Sequence, residues 1–192
     1  MYSKMTEKIF GIGLSKTGTS SLNTALEILG FKAKHFSFMS YQSGKLVLDP
    51  KHVVEYDAFT DTPAANCFKY LDKTYPNSKF IYTVRDLESW LKSCEKHWRL
   101  NPFDYSLVYR HFKWVHLQMS LYGCFNFDYN KFKKAYNIHD RRVREYFQDD
   151  SKLLILNICN GEGWEKLCPF LNLEIPKSPF PKSNVTAKKI TK

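Results

Sequence analysis

The chain has 192 residues and a formal net charge of +10, and 43% of its residues are hydrophobic and 16% aromatic. This composition is typical of one globular domain with a real core and excludes a disordered chain. The longest uncharged apolar run, residues 153–159, is far too short to cross a bilayer, and no basic-then-apolar leader opens the sequence. We therefore expect a cytoplasmic protein with one domain over residues 1–192 and no membrane span.

The first motif is a loop rich in glycine and hydroxyl groups between a predicted strand and a predicted helix. Residues 8–10 form a short apolar strand, and residues 21–30 carry apolar side chains at helical spacing up to a terminal glycine. Loop amides and the positive end of the helix dipole then point at one place, which favours an anion. The predicted anion-binding residues are Lys16, Thr17, Gly18, Thr19, Ser20 and Ser21.

The lysine of this loop stands in an unusual place. A Walker A loop ends in Gly-Lys-Ser/Thr, whereas this chain has Gly18-Thr19-Ser20 and carries its lysine at Lys16. The departure argues against an ordinary ATPase or kinase.

Further along the chain, strands and helices alternate. Strands are predicted at residues 31–36, 57–60, 79–84 and 153–158. Thr62 is predicted as the N-cap of a helix with Pro63 at its first position, Asp86 caps another helix, and a last helix covers residues 163–171. Two further helical patterns predict a helical hairpin inserted at about residues 97–150. The order predicts an α/β fold with a central, mostly parallel sheet of about five strands.

Three residues with chemical potential directly follow predicted strands. Lys16, Asp61 and Arg85 would gather at the carboxyl edge of a parallel sheet, where such folds bind ligands.

Two motifs resemble those of sulfotransferases that use 3′-phosphoadenosine 5′-phosphosulfate (PAPS). Residues 13–22 (GLSKTGTSSL) resemble their 5′-phosphosulfate loop, and residues 82–93 (YTVRDLESWLKS) resemble their 3′-phosphate motif. Residues 160–171 and 179–184 are similar to the C-terminal part of the small P-loop sulfotransferases. The resemblance implies a three-layer P-loop-type fold, PAPS as cosubstrate, and binding of the 3′-phosphate by Arg85 and Ser93.

Lys16 is the predicted catalytic residue of the loop. A sulfuryl group carries less charge than a phosphoryl group, so a lysine can replace the metal that kinases need, and we expect no metal. Lys16 would neutralise the oxygen between sulfur and phosphorus as that bond breaks. Removing one such donor costs about 3–4 kcal/mol in activation free energy.

The general base has two candidates. In related sulfotransferases a histidine follows the strand before the 3′-phosphate strand, and the similar place here, residues 60–63, holds Asp61. An aspartate needs burial to raise its pKa before it is an effective base at pH 7, and Asp61 serves equally well as an acceptor for loop amides. His35, after the second predicted strand, is the alternative base.

The sequence gives the class of the acceptor but not its identity, and it leaves two positions open for the residue beside the adenine. Trp164, in a glycine-rich turn, lies either beside the adenine or in the core. We expect a small-molecule or saccharide acceptor with a hydroxyl or amine and, since no nucleic-acid-binding motif is present, no nucleic-acid partner.

Two alternative functions remain. One is a nucleoside or nucleotide kinase with a displaced lysine and Asp61 on magnesium, and the other is a non-catalytic anion-binding module. The oligomeric state stays open.

Overall fold

The computed structural model of the chain describes residues 7–101, 112–148 and 151–183. Its main sheet has five strands in the order β2-β5-β1-β6-β7, and all neighbouring pairs are parallel. The five strands are β1 (Ile9–Gly11), β2 (Ala33–His35), β5 (Ala58–Thr60), β6 (Lys79–Thr83) and β7 (Leu153–Leu156). A separate antiparallel hairpin is formed by β3 (Met39–Gln42) and β4 (Lys45–Leu48).

Helices connect the strands. Their bounds are α1 (Thr19–Ile28), α2 (Pro50–Val53), α3 (Ala64–Thr74), α4 (Leu87–Leu100), α5 (Phe112–Tyr122), α6 (Tyr129–Phe147) and α7 (Trp164–Leu171). A single 3-10 turn, Ile158–Asn160, follows β7. Among the described residues, no helix is long and apolar enough to cross a membrane.

The sheet is the middle of three layers because successive strand residues face opposite sides. Phe10, Phe59 and Phe80 face one side and pack with residues of α3 and α6. Their neighbours in sequence face the other side, where they pack against α1 and α7. Both faces of the strands are therefore covered, as in parallel sheets generally.

A third apolar cluster lies beyond the sheet, beside the loop that follows β1. It joins Leu14 of that loop to buried residues of α4, α5 and α6, with Trp90 and Phe132 at its centre. The cluster fixes the helices that follow β6 against the predicted anion-binding loop. α5 and α6 are the predicted helical pair, and α6 also covers the sheet through Val143 and Phe147.

The predicted fold is confirmed, with local exceptions. The central parallel sheet, its five strands and the flanking helices are as expected, and Asp86 caps α4 by accepting from the Ser89 amide. The expected Thr62 cap is wrong: α3 begins at Ala64 with Pro63 as N-cap, and no side chain caps it. The β3–β4 hairpin was not predicted, and β7 ends at Leu156, two residues early. The helical hairpin was predicted at about residues 97–150, and its residues 102–111 and 149–150 lie outside the described residues.

Candidate active site

One cavity of about 880 Å³ opens at the carboxyl edge of the sheet. Lys16, Asp61, Arg85 and His35 all line it, so the structure brings together residues from the loops after β1, β5 and β6 and the last residue of β2. The first turn of α1 lines the same cavity, and the amides of a first helical turn have no acceptor within their own helix. This end of the cavity can therefore hold an anion.

Two glycines give the loop between β1 and α1 its path. A Cβ on Gly13 would lie 1.9 Å from Thr83 Oγ1 and 2.6 Å from the Thr83 carbonyl oxygen, so only glycine lets the loop pass β6 this closely. Gly18 is the N-cap of α1 and has a φ of 103°, a conformation that side chains disfavour. Thr17 links the loop to β6 by a hydrogen bond, since its hydroxyl lies 2.7 Å from Thr83 Oγ1.

Lys16 is held in a left-handed conformation, with a φ of 73°. Its carbonyl oxygen accepts a hydrogen bond from Arg85 Nη1 at 3.2 Å, and Arg85 Nε donates to Ser89 Oγ at 3.0 Å. Left-handed backbone at a residue other than glycine is costly and is kept where the surroundings impose it. The guanidinium of Arg85 thus fixes the loop and still faces the cavity.

Ser93 lies one helical turn beyond Ser89 and lines the cavity beside Arg85. Arg85, Ser89 and Ser93 also line an adjoining depression of about 440 Å³, to which α4 adds Lys92 and Lys96. Arg85 and Ser93 are the predicted partners of the 3′-phosphate. They therefore lie on a continuous polar surface that carries additional positive charge. Asp86 and Glu88 form the acidic rim of the same depression.

Asp61 is buried, with 4% of its surface exposed, and its carboxylate accepts three hydrogen bonds. Ser15 Oγ donates to Oδ1 at 2.6 Å, Thr19 Oγ1 donates to Oδ2 at 2.7 Å, and the Thr62 amide donates to Oδ1 at 2.7 Å. Asp61 also has a left-handed φ of 71°. The carboxylate therefore joins the loop after β5 to the loop after β1.

His35 has a partner on each ring nitrogen. Its Nδ1 lies 3.0 Å from Thr60 Oγ1, and its Nε2 lies 3.2 Å from Ser20 Oγ and 3.8 Å from Asp61 Oδ2. The imidazole is thus part of a polar network at the N-terminus of α1, next to Asp61.

Two predicted ligand residues do not line the cavity. Thr17 is buried, and its hydroxyl donates to the Leu14 carbonyl besides contacting Thr83. Trp164 is buried against Phe180, with ring centroids 4.7 Å apart, and its Nε1 donates to the Ser178 carbonyl at 2.9 Å. Of the two positions considered for Trp164, the structure has the one in the core.

One wall of the cavity has a different character. It is formed by α4, α5 and the turn after α5, and its side chains are mostly aromatic or aliphatic: Trp98, Trp114, Leu117, Leu121, Tyr122 and Phe125. Polar groups here are few and include His97, Asn101 and Gln118. A large apolar wall with a few polar groups is typical of a site for a small organic molecule.

Several cavity residues were not predicted from the sequence. Ser15 stands in the motif, but its partner Asp61 is 46 residues away. The C-terminal segment returns to α1, where the Ser183 amide donates to Ser21 Oγ at 3.0 Å, and this brings Lys182 to the cavity. His97 lies four residues after Ser93 on α4, and that helical spacing could have indicated a shared face.

The chain belongs to a sulfotransferase family, because the family model described as "Sulfotransferase domain" matches residues 8–189. The chain is therefore a sulfotransferase by family and has the α/β fold expected of one.

The chain is also similar to individual proteins and solved structures. Ava biosynthesis cluster protein M of Aspergillus versicolor is 26% identical over 209 residues, which cover 91% of this chain and 79% of that protein. A sulfotransferase structure from Alicyclobacillus acidocaldarius has a similar fold, with a TM-score of 0.55 at 12% identity over 91% of this chain and 84% of that one. The mouse sulfotransferase SULT7A1, solved in complex with PAP, gives a TM-score of 0.49 at 16% identity over 91% of this chain and 61% of that one.

Proposed function

We propose that the protein transfers the sulfuryl group of PAPS to a hydroxyl or amine of a small, largely apolar acceptor. The observation that carries this proposal is the lining of one cavity, which combines two cationic residues, Lys16 and Arg85, with an aromatic wall. A donor with phosphate groups at both its 5′ and 3′ positions needs two separated anion sites, which Lys16 and Arg85 would provide.

In this proposal Lys16 acts on the leaving group. Its ammonium would lie beside the oxygen that joins sulfur to phosphorus and would neutralise the charge that develops there. The left-handed backbone at Lys16 and the Arg85 hydrogen bond to its carbonyl support a fixed position before the donor binds. A preorganised charge of this kind stabilises the transition state more than the ground state.

For Asp61 we propose a positioning role. Its carboxylate oxygens already accept from Ser15, Thr19 and the Thr62 amide, and they lie next to His35. Hydrogen bonds of this kind occupy the lone pairs that a base would need. Asp61 would thus keep the loop and the N-terminus of α1 in the geometry that binds the 5′-phosphosulfate.

The aromatic wall of the cavity indicates the class of the acceptor. Aromatic and aliphatic side chains favour an apolar, planar acceptor over a saccharide, whose many hydroxyls would lose hydrogen bonds to water there. Gln118 is 5% exposed, and its Nε2 has no hydrogen-bond partner among the described residues. An acceptor with a carbonyl or ether oxygen could satisfy this buried donor.

Calorimetry and a transfer assay test the function together. The protein is titrated with 3′-phosphoadenosine 5′-phosphate (PAP), ATP with magnesium, and an oligonucleotide, and is then incubated with radiolabelled PAPS and a panel of phenols, amines and sugars. We expect binding of PAP alone and label transfer to phenols or aryl amines. Binding of ATP with magnesium instead would favour the kinase alternative, and binding of the oligonucleotide alone would favour a non-catalytic anion-binding module.

A further inference from the structure

We propose that His97 is the catalytic base that takes the proton of the acceptor. This inference rests on the proposed sulfuryl transfer. His97 lies on α4 four residues after Ser93 and lines the same cavity as Lys16 and the aromatic side chains of α4 and α5. The charges of Lys16 and Asp61 both act on the pKa of its ring, so the ring lies near the proposed donor residues. A group that deprotonates the acceptor has to lie within reach of both the acceptor oxygen and the sulfur.

The ring of His97 is available, whereas the other candidates are engaged. Among the described residues, neither ring nitrogen of His97 has a hydrogen-bond partner, and only its backbone carbonyl accepts, from the amide and side chain of Asn101. His35 has partners on both nitrogens, and Asp61 accepts three hydrogen bonds. His97 is also an exposed residue, so a molecule in the cavity can touch its ring.

One aromatic contact orients the His97 ring. It meets the indole of Trp98 edge to face, with centroids 4.9 Å apart and an interplanar angle of 77°. Trp98 is buried in the apolar cluster of α4, α5 and α6, so the packing of its indole fixes the surface that the His97 ring contacts. The imidazole is thus held beside the aromatic wall of the cavity, and no hydrogen bond from the described residues engages its two nitrogens.

The surroundings of His97 favour its neutral form. Although the residue is exposed to the cavity, the protein on the other side of the ring removes part of its hydration and lowers its pKa, the Lys16 charge lowers the pKa further, and the Asp61 charge opposes both. On α5, Tyr122 faces the same cavity and stays uncharged because burial raises its pKa well above its usual range. On α4 itself, the nearest charged residues in sequence are Glu95, Lys96 and Arg99. A neutral imidazole at pH 7 is the form that accepts a proton.

The transfer step exchanges one bond to sulfur for another. The acceptor oxygen forms a bond to sulfur as the bond from sulfur to the 5′-phosphate oxygen breaks, and the electron pair of that bond stays on the phosphate beside Lys16. The acceptor proton passes to a His97 ring nitrogen. The products are the sulfate ester, PAP and an imidazolium, which returns its proton to water.

The substitution His97→Asn tests this role, with His52→Asn as the matched control. His52 lies on α2, outside the cavity, and stacks on Phe38. We expect His97→Asn to keep PAP affinity within about twofold and to lower kcat/KM for 2-naphthol by about 10²–10⁴, which is the usual contribution of a general base. The loss should shrink for 4-nitrophenol at a pH where that phenol is already ionised.

Two outcomes separate a base from a structural residue. A base also produces an acidic limb in the pH profile of kcat/KM, which should disappear in His97→Asn. In the free protein, the NMR titration of the His97 ring should have its midpoint below the ordinary value of 6.5. Equal losses for both phenols, an unchanged pH profile or a midpoint above 6.5 would overturn the assignment. Absence of sulfuryl transfer from PAPS in the wild type would instead count against the proposed function.

Discussion

The guanidinium of Arg85 donates a hydrogen bond to the backbone carbonyl of Lys16, with 3.2 Å between Arg85 Nη1 and the oxygen. The two residues are 69 positions apart and come from the ends of neighbouring strands, β1 and β6. The contact joins the two proposed anion sites, so the site for the 3′-phosphate and the loop for the 5′-phosphosulfate have a fixed separation. A donor with both groups would meet a site already assembled.

Arg85→Ala should weaken PAP much more than it weakens adenosine 5′-phosphosulfate. Loss of a charge-assisted hydrogen bond costs about 1.5–3 kcal/mol, which corresponds to about 10- to 100-fold in PAP affinity. The ligand without a 3′-phosphate should lose only a few-fold, through the loosened Lys16 carbonyl. Isothermal titration calorimetry measures both, and Arg99→Ala, an exposed α4 arginine paired with Glu95, is the control. Equal losses for the two ligands would contradict the 3′-phosphate assignment.

Lys16→Ala should remove most turnover and leave PAP binding partly intact. Lys16 would act on charge that develops only as the sulfur–oxygen bond breaks, so kcat should fall by about 10²–10³. A radiometric assay with PAPS and PAP calorimetry on the same preparations give both quantities. Lys45→Ala, at the exposed start of β4, serves as the control. If turnover of Lys16→Ala equals that of wild type, the lysine has no role in the chemistry.

Gly13→Ala should both destabilise the protein and weaken PAP. The added Cβ would meet Thr83 Oγ1 at 1.9 Å and the Thr83 carbonyl oxygen at 2.6 Å, so the loop has to move away from β6. Overpacking of this kind typically costs about 1–3 kcal/mol in the free energy of unfolding. Urea unfolding measures the cost, and PAP titration measures the displacement of the loop.

Gly44→Ala is the matched control for this change. Gly44 has a φ of 75°, but among the described residues no heavy atom beyond Gly44 and its two chain neighbours lies within 4 Å of the Cβ position. Alanine there should cost about 1 kcal/mol through its backbone conformation alone and leave PAP affinity unchanged. Similar PAP affinities for the two variants would show that the close approach of Gly13 to β6 does not shape the site.

The donor end of the cavity could be predicted from the sequence because its residues obey local rules. Lys16, Asp61 and Arg85 each follow a strand, and parallel strands bring their carboxyl ends to one edge. Individual hydroxyls could not be assigned in the same way. Thr17 and Ser20 are three residues apart in one motif, yet Thr17 faces β6 and Ser20 contacts His35. Which side chains face a ligand depends on packing that the spacing does not encode.

The unpredicted hairpin shows a different limit. Its turn is Ser43-Gly44, two residues with φ values of 48° and 75°, which is the geometry of a tight two-residue hairpin turn. A serine-glycine pair is a weaker indicator of that turn than asparagine-glycine, and the flanking strands are only four residues each. The apolar wall of the cavity needs one face of α4 to meet one face of α5, and the helical spacing within each helix does not encode how the two helices pack.

Asp61→Asn distinguishes the positioning role from a general base. Asparagine replaces one acceptor oxygen of the carboxylate by an NH2 donor group, so at least one of Ser15, Thr19 or the Thr62 amide loses its acceptor. We expect PAP affinity and kcat to fall together, the affinity by about tenfold. Calorimetry and the transfer assay measure both, with Asp49→Asn, at a helix cap that tolerates asparagine, as the control. Loss of kcat at unchanged PAP affinity would support the general base instead.

His139 should make the protein less stable at mildly acidic pH. The residue is buried on α6, its Nε2 donates to the Ile12 carbonyl at 2.8 Å, and burial lowers its pKa to about 4 from an ordinary value of 6.5. Between these two values the unfolded chain binds a proton that the folded chain does not bind. Stability from this residue is therefore complete above pH 6.5 and is lost as the pH falls toward 4, by about 3 kcal/mol in total.

His139→Gln checks this directly, since glutamine keeps a donor for the Ile12 carbonyl and does not titrate. Urea unfolding of the wild type at pH 7.5 and pH 5 measures the total pH dependence, to which carboxylates also contribute. The difference between wild type and His139→Gln isolates the histidine, and the variant should lose less stability on acidification. His52→Gln, which changes a histidine outside the core, should keep the wild-type dependence. The same loss in wild type and His139→Gln would mean that the ring is already protonated or exposed in the folded protein.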